Sequence, residues 1–299
     1  MPYKWLAASV GYVVLLLLLL MQESMADKIF VAQDSFIRVL DVKTRAVDNV
    51  INYGYAMSIK YEASTNSLWW SDENGFIISC ILANFVCHNY DIVYNAGANT
   101  VIASLVLYQN SVTKENFVYF VDRTNSKIRR INRNTLESEV ALTQIGGGLI
   151  SIALTDNSIM YISNTSGVYR YDYSAISRTV PQPLVAPEFS LVYNSSGAHS
   201  LNYDPIAADV FLIDGTKLVK LATSCTNILT VCSTALKVGL LNLKSVSSYG
   251  DEMVVYSIIN LDGTSGLYYY HGTTSIAATR IADISGTGHI AIHYYYSDS

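Results

Sequence analysis

Short apolar runs separated by polar turns repeat along most of this chain. Phe117-Val118-Tyr119-Phe120-Val121 ends in Asp122, a polar turn follows, and Lys127-Ile128-Arg129-Arg130-Ile131-Asn132 then alternates. β-branched and aromatic residues suit a pleated surface, and two such runs about a polar turn predict a β-hairpin. The same phrase returns as Leu68-Trp69-Trp70-Ser71-Asp72, a turn at Glu73-Asn74-Gly75, and Phe76-Ile77-Ile78-Ser79-Cys80. It returns again as Val210-Phe211-Leu212-Ile213-Asp214, Gly215-Thr216, and Lys217-Leu218-Val219-Lys220-Leu221. Weaker copies surround Ile159–Tyr171 and Ile29–Leu40.

A third element precedes each hairpin. Ser58, Ser104, Ser151, Ser200 and Ser247 each sit among mostly apolar neighbours, and Ala291 is a sixth member, so successive copies lie 46, 47, 49, 47 and 44 residues apart. Repeats of about 40–50 residues with several strands each predict propeller blades. The small residue suits an innermost strand crowded around an axis. A shorter, more polar fourth strand is expected at 86–92, 138–142, 228–232 and 277–282. Blade faces pack on neighbouring blades, so near-continuous apolar strands fit this arrangement.

The fold expected is therefore an all-β, six-bladed β-propeller of four-stranded blades, with blades at 289–294 plus 27–51, 55–92, 101–142, 148–185, 197–233 and 244–282. The last strand would complete the first blade, closing the ring and removing open edges. Gly146-Gly147-Gly148 and Pro181-Gln182-Pro183 carry turn and edge chemistry, the latter at the rim of blade four.

The N-terminus changes the picture. Lys4, an apolar core over 10–21 and small residues at Ser24-Met25-Ala26 predict a secretory signal over 1–26, with the single propeller domain over 27–299. The apolar run from Trp5 to Met21 is slightly short of the about 20 residues a membrane span needs. The expected product is secreted, with no stable membrane anchor after cleavage. Cys80 and Cys87 stand seven residues apart, as do Cys225 and Cys232. Of the three possible pairings the equal spacing selects Cys80–Cys87 and Cys225–Cys232, each stapling its own hairpin in an oxidising compartment. Metal binding would favour tighter spacing with histidine partners.

The hairpins resemble the Tyr-Trp-Thr-Asp repeat of low-density-lipoprotein-receptor-type propellers. Leu68-Trp69-Trp70-Ser71-Asp72 and Val118-Tyr119-Phe120-Val121-Asp122 carry the likeness, and Asp214 closes a third copy. The resemblance implies that Asp72, Asp122 and Asp214 knit blades together through hydrogen bonds. Ser163 stands at that position in blade four. No module of the epidermal-growth-factor type follows.

Chemistry is sparse. Charged residues make up 14% of the 299, against the usual quarter, and the net charge is −5 with no Lys/Arg block. That argues against a nucleic-acid partner. His289 and His293 on one strand would lie about 13 Å apart and cannot share an ion. Asp72-Glu73-Asn74-Gly75 lacks the later ligands of a calcium loop and reads as a hairpin turn. No G-x-S-x-G elbow or phosphate loop is present. Calcium-dependent lactonases and strictosidine-synthase-like hydrolases are six-bladed propellers too, with carboxylates or amides where inner strands begin. The matching positions, Ala56, Ile102, Leu149, Ala198, Ser245 and His289, hold no carboxylate. The expectation is a non-catalytic module without metal or cofactor.

Two sequons, Asn164-Thr165-Ser166 and Asn194-Ser195-Ser196, predict glycans on one sector of the top rim. The remaining sector offers Tyr53, Tyr55, Glu73, Tyr94, Arg123 and Asn125 for contacts, and tyrosine and arginine favour interfaces. The function expected is extracellular binding of a protein, a glycan or further copies of this chain in a matrix or filament. The alternative is the propeller hydrolase.

Overall fold

The structure is a computed structural model describing residues 28–33, 35–41, 44–97, 99–110, 115–143, 148–173, 182–183, 189–227, 232–236, 243–249, 252–258, 265–271, 279–283 and 289–293. The expected signal segment 1–26 and Gly146-Gly147 lie outside them. Among the described residues no helix is long and apolar enough to cross a membrane.

The strands run in chain order as β1 (Lys28–Gln33), β2 (Phe36–Asp41), β3 (Val47–Asn52), β4 (Ala56–Glu62), β5 (Ser67–Asp72), β6 (Phe76–Ile81), β7 (Asp91–Asn95), β8 (Ile102–Asn110), β9 (Glu115–Asp122), β10 (Lys127–Asn132), β11 (Ser138–Thr143) and β12 (Leu149–Leu154). They continue as β13 (Ile159–Asn164), β14 (Gly167–Asp172), β15 (Gln182–Pro183), β16 (Phe189–Tyr193), β17 (Ala198–Asp204), β18 (Asp209–Asp214), β19 (Lys217–Ala222), β20 (Ser233–Leu236), β21 (Leu243–Tyr249), β22 (Glu252–Ile258), β23 (Ser265–His271), β24 (Thr279–Asp283) and β25 (His289–His293).

Their pairing makes a β-propeller of four-stranded blades. The sheet orders are β25-β1-β2-β3, β4-β5-β6-β7, β8-β9-β10-β11 with β15 added outside, β12-β13-β14-β16, β17-β18-β19-β20 and β21-β22-β23-β24. The C-terminal β25 pairs antiparallel with the N-terminal β1, Ala32 opposite His289 and Lys28 opposite His293. The inner strands β25, β4, β8, β12, β17 and β21 each lie against the next, and β21 lies against β25.

The core lies between blades. One apolar cluster joins Phe30, Ile37 and Val50 to Ile59, Leu68 and Trp70; others join β5–β6 with β8–β9, β9–β11 with β12–β14, and β13 with β17–β19. All six residues of β5 are buried. A strand covered on both faces has no reason to alternate, which explains its unbroken Leu-Trp-Trp-Ser. Removing a side chain as large as the fully buried Trp70 costs about 3–5 kcal/mol.

Several expected outer elements move. The fourth strand placed at 86–92 begins at Asp91, because residues 82–90 form a loop whose Cys87 amide donates to Val50 O at 3.0 Å. The one placed at 228–232 is β20, starting after Cys232. Gln182–Pro183 does not edge the β12–β14 sheet. It pairs in parallel with β11 of the preceding sheet, and Phe189–Tyr193 supplies the fourth strand instead. Proline tolerates that place because only one edge of β15 is paired. Both disulfides form as paired by spacing, with Cα–Cα separations of 6.0 and 5.5 Å. Cys80–Cys87 closes the 82–90 loop rather than joining two strand positions.

Candidate functional site: the upper end of the central channel

The repeated serines build the channel wall. Leu105 N donates to Ser58 Oγ at 3.1 Å, Ile152 N to Ser104 Oγ at 3.4 Å, Leu201 N to Ser151 Oγ at 3.1 Å and Val246 N to Ser200 Oγ at 3.0 Å. β8, β12, β17 and β21 each thus give an amide to the serine of the preceding inner strand. The amide is free because each ladder shifts register there: between Ala56 and Ser58, Ile102 and Leu105, Leu149 and Ser151, His199 and Asn202, and Leu243 and Ser245. A bulge leaves a residue outside the ladder, and here its N–H turns sideways to the neighbouring blade. The same register corrects the sequence assignment. The member on β21 is Ser245, not Ser247, since Leu243 pairs with Ser257 as Ala56 pairs with Asp72.

A second correction follows. The leading residues Ile102, Leu149, Ala198 and Leu243 are buried between sheets and do not face the channel. The next residue on each strand does, because a shift of one flips the face. Met57, Ala103, Ile150, His199 and Lys244 line a cavity of about 270 Å³ with the serines, Lys60 and Arg123. This is the upper end, where the hairpin turns and the connections into the inner strands emerge. None of these five is a carboxylate, and two are basic.

Below it, Lys60, Val106, Ala153, Asn202 and Ser247, each two residues after a latch serine or, for Ser247, after Ser245, line a second cavity of about 320 Å³ with Tyr61, Leu154, Tyr203 and Asp156. Lys60 and Leu201 reach both cavities. Burial pushes the half-buried Lys60 ammonium down to about 8. Among the described residues it has no carboxylate within ion-pair distance, whereas Lys28, Arg133 and Lys220 pair with Asp41, Glu62 and Asp209.

The hairpin turns at this end are fixed by the motif residues. Asp72 Oδ1 accepts from Asn74 N at 3.0 Å and Phe76 N at 2.8 Å, and its Oδ2 accepts from Tyr53 Oη at 3.0 Å. Gly75 completes that turn at φ +82°, where a Cβ would lie 2.9 Å from Thr100 O. Asp214 likewise accepts from Tyr193 Oη at 2.8 Å and Ser195 Oγ at 2.7 Å. Tyr53 and Ser195 lie in the connections leaving the preceding sheets, and Tyr193 ends β16. Burial and Asp214 push the Tyr193 phenol up to about 12, and burial and Asp72 raise Tyr53 likewise. Asp122 holds only its own turn in this way, through Asn125 N at 3.0 Å and Asn125 Nδ2. On β13 the equivalent residue is Asn164, not Ser163, since Leu149 pairs with Asn164.

This places the predicted site residues. Tyr53 is half-buried against Trp70 and Tyr90, with ring centroids at 5.3 and 5.6 Å. Tyr94 packs on Phe120 at 5.2 Å under the Arg129 guanidinium. The Asn125 amide is taken up by Asp122. Tyr55, Glu73 and Arg123 are exposed, and Arg123 lines the channel mouth. Asn194 is exposed between β16 and β17. Asn164 is 4% exposed, and its Oδ1 accepts from Ser166 N and Gly167 N, so its amide serves the turn. Sequence reasoning missed Lys60, His199 and Lys244. Their offsets from the repeated serines hold the signal once Ser245, rather than Ser247, is taken as the β21 member.

These features define a propeller whose channel mouth is cationic and rich in hydroxyls. No protein-family model matches the chain, and no curated protein does. Among solved structures it is similar to a chain in the crystal structure of a nidogen/laminin complex, with TM-score 0.67, 11% identity, and 89% of this chain and 98% of that one covered. It is also similar to TolB from Acinetobacter baumannii, with TM-score 0.66 and 12% identity, covering 89% of this chain and 66% of that one. At such identities the likeness is one of fold.

Proposed function

We propose that this chain is a secreted binding module: a six-bladed, ring-closed propeller of the low-density-lipoprotein-receptor type that contacts an extracellular protein or glycan, or further copies of itself, through its upper face, without catalysis. The observation that carries this reading is the division of labour at that face. Tyr53, Tyr94, Asn125 and the motif aspartates are used in holding the turns, while Tyr55, Glu73 and Arg123 are left exposed around an open channel mouth. Rigid turns presenting a few free side chains suit recognition, since little ordering remains to be done on binding. The two disulfides fit an oxidising compartment, and the nidogen-like fold gives a precedent for a propeller in a complex with an extracellular protein. On this reading a signal over 1–26 is removed, Asn194 carries a glycan, and no nucleic acid, cofactor or membrane anchor takes part.

The test uses the chain secreted from cultured cells, displayed against panels of extracellular proteins and glycans, with light scattering on the same sample. Saturable binding of one partner or defined self-association, weakened in Arg123→Glu and Tyr55→Ala, supports the reading. Calcium-dependent esterase or lactonase turnover by the purified chain overturns it.

A further inference from the structure

The upper cavity has a charge opposite to that of the molecule. The chain carries −5 overall, yet Lys60, Arg123, Lys244 and His199 face this one cavity of about 270 Å³, and among the described residues no Asp or Glu lines it. Among the described residues none of the three fixed cations has an ion-pair partner, although Lys28, Arg130, Arg133 and Lys220 are paired elsewhere. Bringing several like charges together in a concave, partly desolvated place is unfavourable unless something of opposite sign joins them. Such a cavity also focuses the field that draws an anion in.

The remaining lining specifies the anion further. Ser58 and Ser200 each accept a backbone N–H through Oγ. A hydroxyl that has accepted still has its own hydrogen to donate. Two ammonium groups, a guanidinium at the rim and a wall of hydroxyl donors suit a compact group with several acceptor oxygens. Lysine binds such a group as a point charge, and arginine adds a planar fork.

We propose that the upper channel cavity is a binding site for a tetrahedral oxyanion, the sulfate or phosphate of a small ester or the free ion, held by Lys60 at its floor and by Lys244, Arg123 and the serine hydroxyls at its wall. This site works whether or not the rim contacts a macromolecule. A small anion sits below the rim, and Tyr55 and Glu73 take no part in holding it.

Calorimetry tests this on the full secreted chain, with inorganic sulfate, inorganic phosphate and galactose 6-sulfate as probes, at constant ionic strength set by sodium chloride. The expected result is saturable binding of at least one probe, weakened about tenfold or more in Lys60→Met and in Lys244→Gln, and unchanged in Lys217→Gln at the exposed start of β19. Tighter binding of the sugar ester assigns the site to esters, and equal binding assigns it to the free ion; either supports the proposal. Lys244 is exposed, so Lys244→Gln remains informative if Lys60→Met fails to fold. Absence of saturation with all three probes overturns the proposal, as does affinity unchanged in the variants.

Discussion

The two ends of the central channel are built from the same repeated phrase and differ in what they leave unpaired. At the upper end the ladder shifts on β4, β8, β12, β17 and β21, the serine latches form, and among the described residues Lys60, Arg123 and Lys244 have no counter-charge. At the lower end Asp156 joins the lining, Tyr203 and Asn202 supply neutral polar groups, and Leu107, Leu154 and Pro205 cover the rest. The upper end is thus tightly held in its backbone and unsatisfied in its charges. The lower end is closer to neutral and ordinary. That combination is what a binding site requires: rigid supports under groups whose partners are still to come.

Breaking the supports separates the ends most. Asp72→Ala removes the acceptors for Tyr53 Oη, Asn74 N and Phe76 N in a place where the aspartate is 2% exposed, and should lower unfolding stability by about 3 kcal/mol. Asp156→Ala, on an exposed turn of the lower end, should stay within about 0.5 kcal/mol. Urea unfolding of the pair measures the difference. Ser151→Ala is the next test. It strands the Leu201 N–H and the Ser104 hydroxyl contact, at about 1–3 kcal/mol. Ser248→Ala on the lower wall should cost less, because Asn202 Nδ2 keeps the Ser248 carbonyl at 3.5 Å.

How much of this could be read in the sequence depends on what fixes each feature. The blade beat, the hairpins and the cysteine pairing were legible because apolar runs, turn residues and equal spacings are local. The serines were legible as a series, but their purpose was not. Register within each inner strand is set by a bulge, and a bulge leaves no residue signature at Ser58 or Ser245. A slip of two on β21 was enough to hide Lys244 behind Ser245 as the channel-facing residue. The outer strands were misplaced for a related reason: nothing local distinguishes 182–183 as the edge of one sheet from the edge of its neighbour. At Asn164 a sequon and a turn-capping Asn share the same letters, and the sequence does not show that its Oδ1 accepts from Ser166 N and Gly167 N.

Charge provides a finer test. The Lys60 ammonium is disfavoured in the folded chain, with its pKa pushed down from 10.5 to about 8. Between those values the unfolded chain holds a proton that the folded chain has released, so stability contributed here rises with pH. The groups facing Lys60 are Arg123, His199 and Lys244 above and Tyr61, Tyr203 and Asp156 below. Tyr61 and Tyr193, pushed up to about 12 from 10, act in the opposite sense once unfolded tyrosine ionises near pH 10. The clean window is therefore pH 8 to 10. The expected outcome is a positive slope of unfolding stability in that window, flattened in Lys60→Met. The smallest effect is at the sequons. Asn194→Gln should remove a glycan mass by intact mass spectrometry with little change in stability. Asn164→Gln should leave the mass of attached glycan unchanged and loosen the β13–β14 turn.

The most direct test of the central claim, that the upper channel cavity is a prepared anion site, is a carbon-13 NMR titration of the Lys60 side chain with and without sulfate. The account predicts a midpoint near 8 in sulfate-free buffer and a rise towards the ordinary lysine value when sulfate is added. A midpoint already near 10.5 without sulfate, or one near 8 that sulfate does not move, would contradict it.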